Sequence, residues 1–202
     1  MRRCGAPDYN GGMTDITSGT AAGTAAGTSA GIARARRGLY RAVRRQLTAE
    51  LRTFLDRHTI AVLATADPDG RIHAVPANYL FDDDGRFHIA TSSVSRKARN
   101  AAARPEVTLT VDDRTDIAWV SAAGTADIVT GAASRALNDR IYRRAWGELA
   151  GPLAPVLHRI EDVTLTVTPH TWRSWDFRSA VLPALAAAGV PRAELESWFP
   201  SP

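Results

Sequence analysis

The chain has 202 residues, 45% of them hydrophobic and 23% charged, with a formal net charge of +4. That content sustains one ordinary core and excludes a fibrous or wholly disordered chain. No apolar run reaches the ~20 residues that a membrane-spanning helix needs, and the single cysteine, Cys4, excludes an internal disulfide framework and a cysteine-built zinc site. Arg2 and Arg3 have no apolar stretch behind them, so the start does not read as a secretory signal. The expected compartment is cytoplasmic, with no membrane partner.

The charge is unevenly placed. Residues 1–47 carry eight Arg against Asp8 and Asp15, whereas residues 48–202 carry 17 basic and 19 acidic side chains. A folded nucleic-acid-binding domain would show its basic patch on the globular part, so the body argues against that class. Of the 25 basic residues only Lys97 is lysine. In a composition that uses Arg almost everywhere, that position invites a role for a compact ammonium.

Residues 17–31 repeat a Gly-Thr-Ala-Ala unit and read as a flexible linker, so residues 1–31 are expected to form a disordered low-complexity tail. From Ile32 to Arg57 the apolar spacing is helical; Gly38 divides it, and Thr48 is the expected N-cap of the second piece. Thr59–Ala66 is a β-branched strand, and Asp67-Pro68-Asp69-Gly70 is a turn. Arg71–Phe81 continues as a strand, Asp82–Gly85 is a second acidic turn, and Phe87–Thr91 is a third strand. The three predict a β-meander.

A helix is expected over Val94–Ala103, closed by Arg104-Pro105, followed by a strand at Glu106–Val111 and a longer one at Ala118–Val129 that Gly124 bends. Ser134 is the expected cap of a helix running to Trp146. Val163–Thr168 and Thr171–Phe177 are the last strands, parted by Pro169-His170, and two helical pieces near Leu182–Ala188 and Arg192–Trp198 end the chain. Tight turns join most consecutive strands, which leaves no room for parallel crossovers. The predicted fold is an antiparallel β-barrel with peripheral helices (α+β), spanning residues 32–178, with residues 179–202 as a short helical extension.

Where the third strand ends, the sequence is Thr91-Ser92-Ser93-Val94-Ser95-Arg96-Lys97-Ala98-Arg99-Asn100. Hydroxyls and cations gather at the start of a helix, whose free N–H groups and positive dipole end favour an anion. A capped surface helix with a solvated basic turn accounts for the same residues without a ligand.

The run LATADPDGRIHAVPANYLFDDDGRFHIATSSVSRKARNAAARPEVTLTVDD, with the later GTADIV, resembles the pyridoxamine 5′-phosphate oxidase-like family of split β-barrels over about residues 48–130, and more loosely to Phe177. The resemblance implies an FMN-binding split barrel, with the deazaflavin coenzyme F420 as the alternative cofactor. It further implies a homodimer with each cofactor in a groove between barrels. Residue by residue, it assigns Ser92, Ser95, Arg96 and Lys97 to the cofactor phosphate, with Thr91 and Asn100 beside them. Val75, Pro76, Asn78 and Tyr79 would line the ring edge, and Trp172 and Trp175 would approach the ring from the partner subunit. The terminal TWRSWDFRSAVLP lacks the Arg-rich signature that grips the pyridoxal substrate, so the resemblance does not extend to vitamin B6 oxidation.

The implied reaction is hydride transfer between the cofactor and a small conjugated or heteroaromatic substrate, with no catalytic side chain required. Two other readings predict different behaviour. One is a non-catalytic flavin- or haem-binding split barrel, in which His73 and His88 lie on strands expected to be close in the barrel. The other is a regulator whose Arg-rich arm binds nucleic acid. The five histidines show no metal-ligand spacing.

Overall fold

Thr48 opens the first helix, α1 (Ala49–Arg57), where its Oγ1 accepts the Leu51 N–H at 3.4 Å, and Leu51 and Leu55, one turn apart, are buried. The computed structural model describes residues 46–187, 189–191, 193 and 197. The expected tail at 1–31, the helical stretch ahead of residue 46 and most of the final helical piece lie outside them.

Seven strands follow: β1 (Ile60–Ala66), β2 (Ile72–Asn78), β3 (Leu80–Phe81), β4 (Phe87–Thr91), β5 (Glu106–Asp113), β6 (Ala118–Val129) and β7 (Val163–Asp176). They form one antiparallel sheet in the order β2-β1-β5-β6-β7-β4-β3. The helices are α2 (Arg96–Ala103), α3 (Gly131–Trp146), α4 (Ala150–Ile160), α5 (Phe177–Ala180) and α6 (Leu182–Ala187), with a 3₁₀ turn at Gly147–Leu149. No helix among the described residues is long and apolar enough to cross a membrane.

The two acidic turns are built alike. Gly70 N–H bonds the Asp67 carbonyl at 2.9 Å and Gly85 N–H bonds the Asp82 carbonyl at 3.1 Å, and both glycines have positive φ. The expected β-meander is corrected, however. Arg71–Phe81 is not one strand: it breaks at Tyr79, and its halves lie at opposite edges of the sheet. Tyr79 sends its N–H to Thr59 O at 3.0 Å and its hydroxyl to Leu55 O at 2.7 Å. The chain therefore steps from one sheet edge to the other in a single residue, rolling the sheet into a split barrel. Leu63, Tyr79, Phe87, Ile89, Leu109, Val111, Leu165, Val167 and Trp172 fill its interior.

The last two strands expected are instead one continuous strand, β7. His170 bulges where Gly124 pairs with Pro169 and Ala123 with Thr171. Ser134 does not cap α3: the helix begins three residues earlier, and Ser134 is buried inside it, 2.9 Å from Thr164 Oγ1. α4, which carries Pro152 and Pro155, was not foreseen. Pro152 lies among the first four helical residues, whose N–H groups have no intrahelical partner, so Pro155 alone forfeits a bond. Together α3 and α4 cover the outer face of β4, which is why all five β4 residues are buried.

Gly124 is required at the bulge, because a Cβ there would lie 2.3 Å from Thr168 O. We expect Gly124→Ala to lose about 1–3 kcal/mol of stability through overpacking. Chemical denaturation would measure the loss, and an unchanged midpoint would contradict this account of the bulge.

Candidate functional site

α2 starts where β4 ends, and Ser95 caps it, its Oγ accepting the Ala98 N–H at 3.2 Å. Thr91 Oγ1 lies 2.9 Å from Ser95 Oγ, and Ser92 Oγ accepts the Val94 N–H at 3.3 Å. Ser93 is tied to the α4–β7 connection, donating its N–H and its hydroxyl to the Asp162 carboxylate at 2.7 Å each. Those two bonds hold the Asp162 carboxyl below its ordinary value. Most hydroxyls of the cluster therefore shape the loop.

The two adjacent cations differ. Arg96 pairs with the Asp67 carboxylate through both Nε and an Nη. Asn100, buried, donates to the same carboxylate at 2.8 Å and to Thr65 Oγ1 at 3.1 Å. Arg104 reaches the Asp67 and Pro68 carbonyls. The Arg96 guanidinium, and then the Asn100 amide, hold the Asp67 carboxyl well below the usual carboxylate range. Arg96 is thus largely neutralised by the β1–β2 turn.

Lys97, the next residue, is half-buried and has no hydrogen bond or ion pair among the described residues. Its side chain lines a pocket of about 200 Å³ together with Pro76 and Asn78 of β2, Tyr142 and Trp146 of α3, and Glu161. The first-turn N–H groups of Arg96 and Lys97 precede the first intrahelical bond of α2, from Arg99 N–H to Ser95 O. A positive helix end and an unpaired ammonium thus meet at one place.

The structure brings Pro76, Asn78 and Lys97 together. Thr91, Ser92, Ser95, Arg96 and Asn100 form the frame beneath them, and Val75 pairs with Leu63 on the interior side of β2. Tyr79 and Trp172, expected at the ring, have their side chains in the barrel: Trp172 packs edge-on against Phe81 at 6.0 Å. Neither side chain is available to a ligand lying outside the barrel. Trp175 pairs with Trp119 on the opposite face of β7 and lines a separate cavity of about 600 Å³ beside α1. Asp67, Tyr142, Trp146 and Glu161 escaped the sequence reading. Asp67 was visible there only as a turn residue, and nothing local marked the other three.

These elements, in this order, decide the family. The family profile described as pyridoxamine 5′-phosphate oxidase matches residues 47–176. The chain belongs to that family. Among solved structures, the conserved hypothetical protein Rv2991 of Mycobacterium tuberculosis is 26% identical, with 73% of this chain and 90% of that chain covered and a TM-score of 0.59. An F420 reductase is 22% identical over 63% of this chain and 98% of its own, with a TM-score of 0.54. A single-residue variant of HupZ from Group A Streptococcus is 15% identical over 64% of this chain and all of its own, with a TM-score of 0.51. The last two likenesses concern the fold alone. No curated protein matches the chain.

His88 does not have the free nitrogen a haem ligand needs. Its Nε2 lies 2.8 Å from Asp82 Oδ2 and its Nδ1 2.9 Å from Thr166 Oγ1. Burial pushes its pKa down, so the ring is neutral, donating Nε2–H to Asp82 and accepting the Thr166 hydroxyl. No group of three His, Cys, Asp or Glu among the described residues is placed to hold a metal ion.

The lowered Asp67 pKa fixes a pH dependence. A depressed folded-state pKa contributes stability that is present above the unfolded value, near 4, and is lost as pH falls through the folded value. Asp67→Asn is therefore expected to be less stable than wild type by a constant margin above about pH 5, narrowing below about pH 4. Urea midpoints across pH 2–7 would show this. A margin independent of pH would contradict it.

Proposed function

We propose that this protein is a flavin- or deazaflavin-dependent oxidoreductase that works as a homodimer. FMN is the favoured cofactor and F420 the alternative, and the substrate is a small conjugated or heteroaromatic molecule. The observation that carries the reading is Lys97: an unpaired ammonium at a helix N-terminus, facing a pocket walled by β2. Those residues fit a phosphate-bearing group, since a phosphate needs a cation and free N–H donors together.

Lys97 and the first turn of α2 hold the phosphate. Ser95 fixes the loop that presents them, and Asp67 keeps the neighbouring Arg96 turned to the β1–β2 turn. Pro76 and Asn78, on the outward face of the edge strand β2, border the ring. When bound, the ring supplies or accepts the hydride, and the protein supplies orientation and exclusion of water.

The outer sheet face supports the dimer. In a solvated antiparallel sheet this face alternates to polar residues. Here β1 presents Ile60, Val62, Ala64 and Ala66, and β2 presents Ile72, Ala74 and Pro76. On β5 the face turns polar, with Glu106, Thr108 and Thr110 outward, so the apolar patch is that of β1 and β2. β2 is an unpaired edge strand, which proteins usually protect.

Lys97→Ala is expected to weaken cofactor affinity about 10- to 100-fold, as loss of a hydrogen bond to a charged group does, with an unchanged melting temperature. Fluorescence-quenching titrations with FMN and F420 test this, and undiminished affinity would refute the role of Lys97. Val62→Arg places a charge on the outer face. It is expected to turn a dimer into a monomer in sedimentation and to lose cofactor binding with it; a wild-type monomer that binds cofactor would overturn the dimer.

A further inference from the structure

The proposed oxidoreductase chemistry leaves three linked groups unused. His88 on β4 and Thr166 on β7 are directly paired across the sheet, and Asp82 belongs to the acidic turn ahead of β4. Asp82 Oδ2 lies 2.8 Å from His88 Nε2, and Thr166 Oγ1 lies 2.9 Å from His88 Nδ1. The three are buried, at 9%, 3% and 6% exposure for Asp82, His88 and Thr166. Each nevertheless lines one cavity of about 440 Å³ bordered by α3, a size that holds a small molecule. That cavity shares no lining residue with the pocket beside Lys97.

The charge states set a direction for the proton. Burial works against the Asp82 charge, but the Arg86 N–H and His88 prevail and keep its pKa below the ordinary value. The neutral His88 ring gives Nε2–H to that carboxylate and keeps Nδ1 as the acceptor of the Thr166 hydroxyl. Carboxylate, imidazole and alcohol thus stand in the order by which a base activates an alcohol nucleophile. The ring nitrogens are exchanged relative to the serine hydrolases. Either nitrogen can carry the proton, so the relay is unaffected.

The rest of the cavity narrows the substrate. Val129 and Leu137 give it an apolar wall, and Asp83 and Asp84 on the rim disfavour an anion. Arg86 is held by Asp82 and Asp84. Arg140 has no hydrogen bond or ion pair among the described residues, and its charge is felt at His88. A neutral carbonyl that becomes an oxyanion on attack fits this set, with Arg140 as the cation that meets the new charge.

We propose that Thr166 is an acyl-accepting nucleophile and His88 its general base, in a second site that hydrolyses small neutral carboxylic esters, with Asp82 as a positioning residue. Thr166 Oγ1 bonds to the carbonyl carbon while its proton passes to His88 Nδ1. The ester C–O bond then breaks, and His88 returns that proton to the departing alcohol. Water, giving a proton to His88, cleaves the acyl-threonine to a carboxylic acid and restores the hydroxyl.

The full chain is mixed with p-nitrophenyl acetate, quenched in acid and mapped by mass spectrometry. An acetyl group on Thr166 and a burst of nitrophenolate are expected. Thr166→Ser should keep both, whereas Thr166→Val should lose the label and slow the burst about 100-fold or more, as loss of a base-activated nucleophile does. Asp82→Asn is expected to lower the plateau of the acylation rate and to move its acid limb to lower pH, because the imidazolium loses its countercharge. The other charges around the ring, Arg86 on the turn, Arg140 on α3 and the exposed Asp127 opposite Thr166 on β6, stay in place in that variant. An unmoved limb would remove Asp82 from the site. Wild type that carries no acetyl on Thr166 overturns the inference whether or not the variants fold, and so does a burst that Thr166→Val leaves unchanged. None of these outcomes depends on the cofactor reading.

Discussion

The Asp67 carboxylate sits where the β1–β2 turn meets the first turn of α2, and it reaches one of two adjacent cations. Successive helical residues point about 100° apart, so the direction that brings Arg96 onto Asp67 carries Lys97 away from it, toward β2. One carboxylate thereby does three things. It neutralises Arg96, it occupies the buried Asn100 amide, and it fixes the helix whose free end lies beside Lys97. Asp82 holds the matching place in the other hairpin, where its carboxylate takes Arg86 and His88. There burial pushes its pKa up, but the Arg86 N–H and His88 more than offset this and leave it below the ordinary value. The same turn chemistry thus anchors a helix in one hairpin and a buried imidazole in the other.

A second junction holds the pocket wall in position. Arg144, on α3 between Tyr142 and Trp146, donates to the Leu55, Asp56 and His58 carbonyls where α1 ends. It also lies 5.7 Å from the Tyr79 ring centroid. Orphan carbonyls at a helix C-terminus are well met by a guanidinium. Tyr79 is the residue at which the chain steps between the sheet edges, so barrel closure, the end of α1 and the seat of α3 are secured at one point. The seam Ser134–Thr164–Asn138 pins the other end of α3 to β7. The hairpin that walls the pocket is therefore tied to the barrel at both ends of α3.

Much of this was legible in the chain, and the illegible parts share a physical cause. β1, β6, α1 and the two D-x-x-G turns follow from local pattern, because one buried face or one glycine decides each. The frame at Ser95 to Asn100 was legible as chemistry, since hydroxyls and cations crowd a helix start. Its partner Asp67 was not, because the pairing joins Asp67 to Arg96, 29 residues on, through a turn that any Asp would suit. The break at Tyr79 was hidden for a related reason: a strand that changes edges keeps its β character on both sides. Ser134 has the composition of a cap, yet it is spent on Thr164, so tertiary hydrogen bonding overrode a local preference. Prolines concealed α4, and with it Glu161.

Membership of a family fixes architecture and leaves chemistry to the site, and here the site is asymmetric. The pocket is too small for a tricyclic ring, and β1 and β2 together turn Ile60, Val62, Ile72, Ala74 and Pro76 outward where a solvated sheet would turn polar residues. Under the proposed function the two facts answer each other. A ligand anchored by one end must lay its ring along β2, and the ring is shielded from water only if a second surface closes over that strand. The apolar outer face of β1 and β2 is such a surface when two copies meet. Phosphate grip would then belong to one chain's α2 and ring burial to the pair, so loss of assembly would abolish binding even with Lys97 in place.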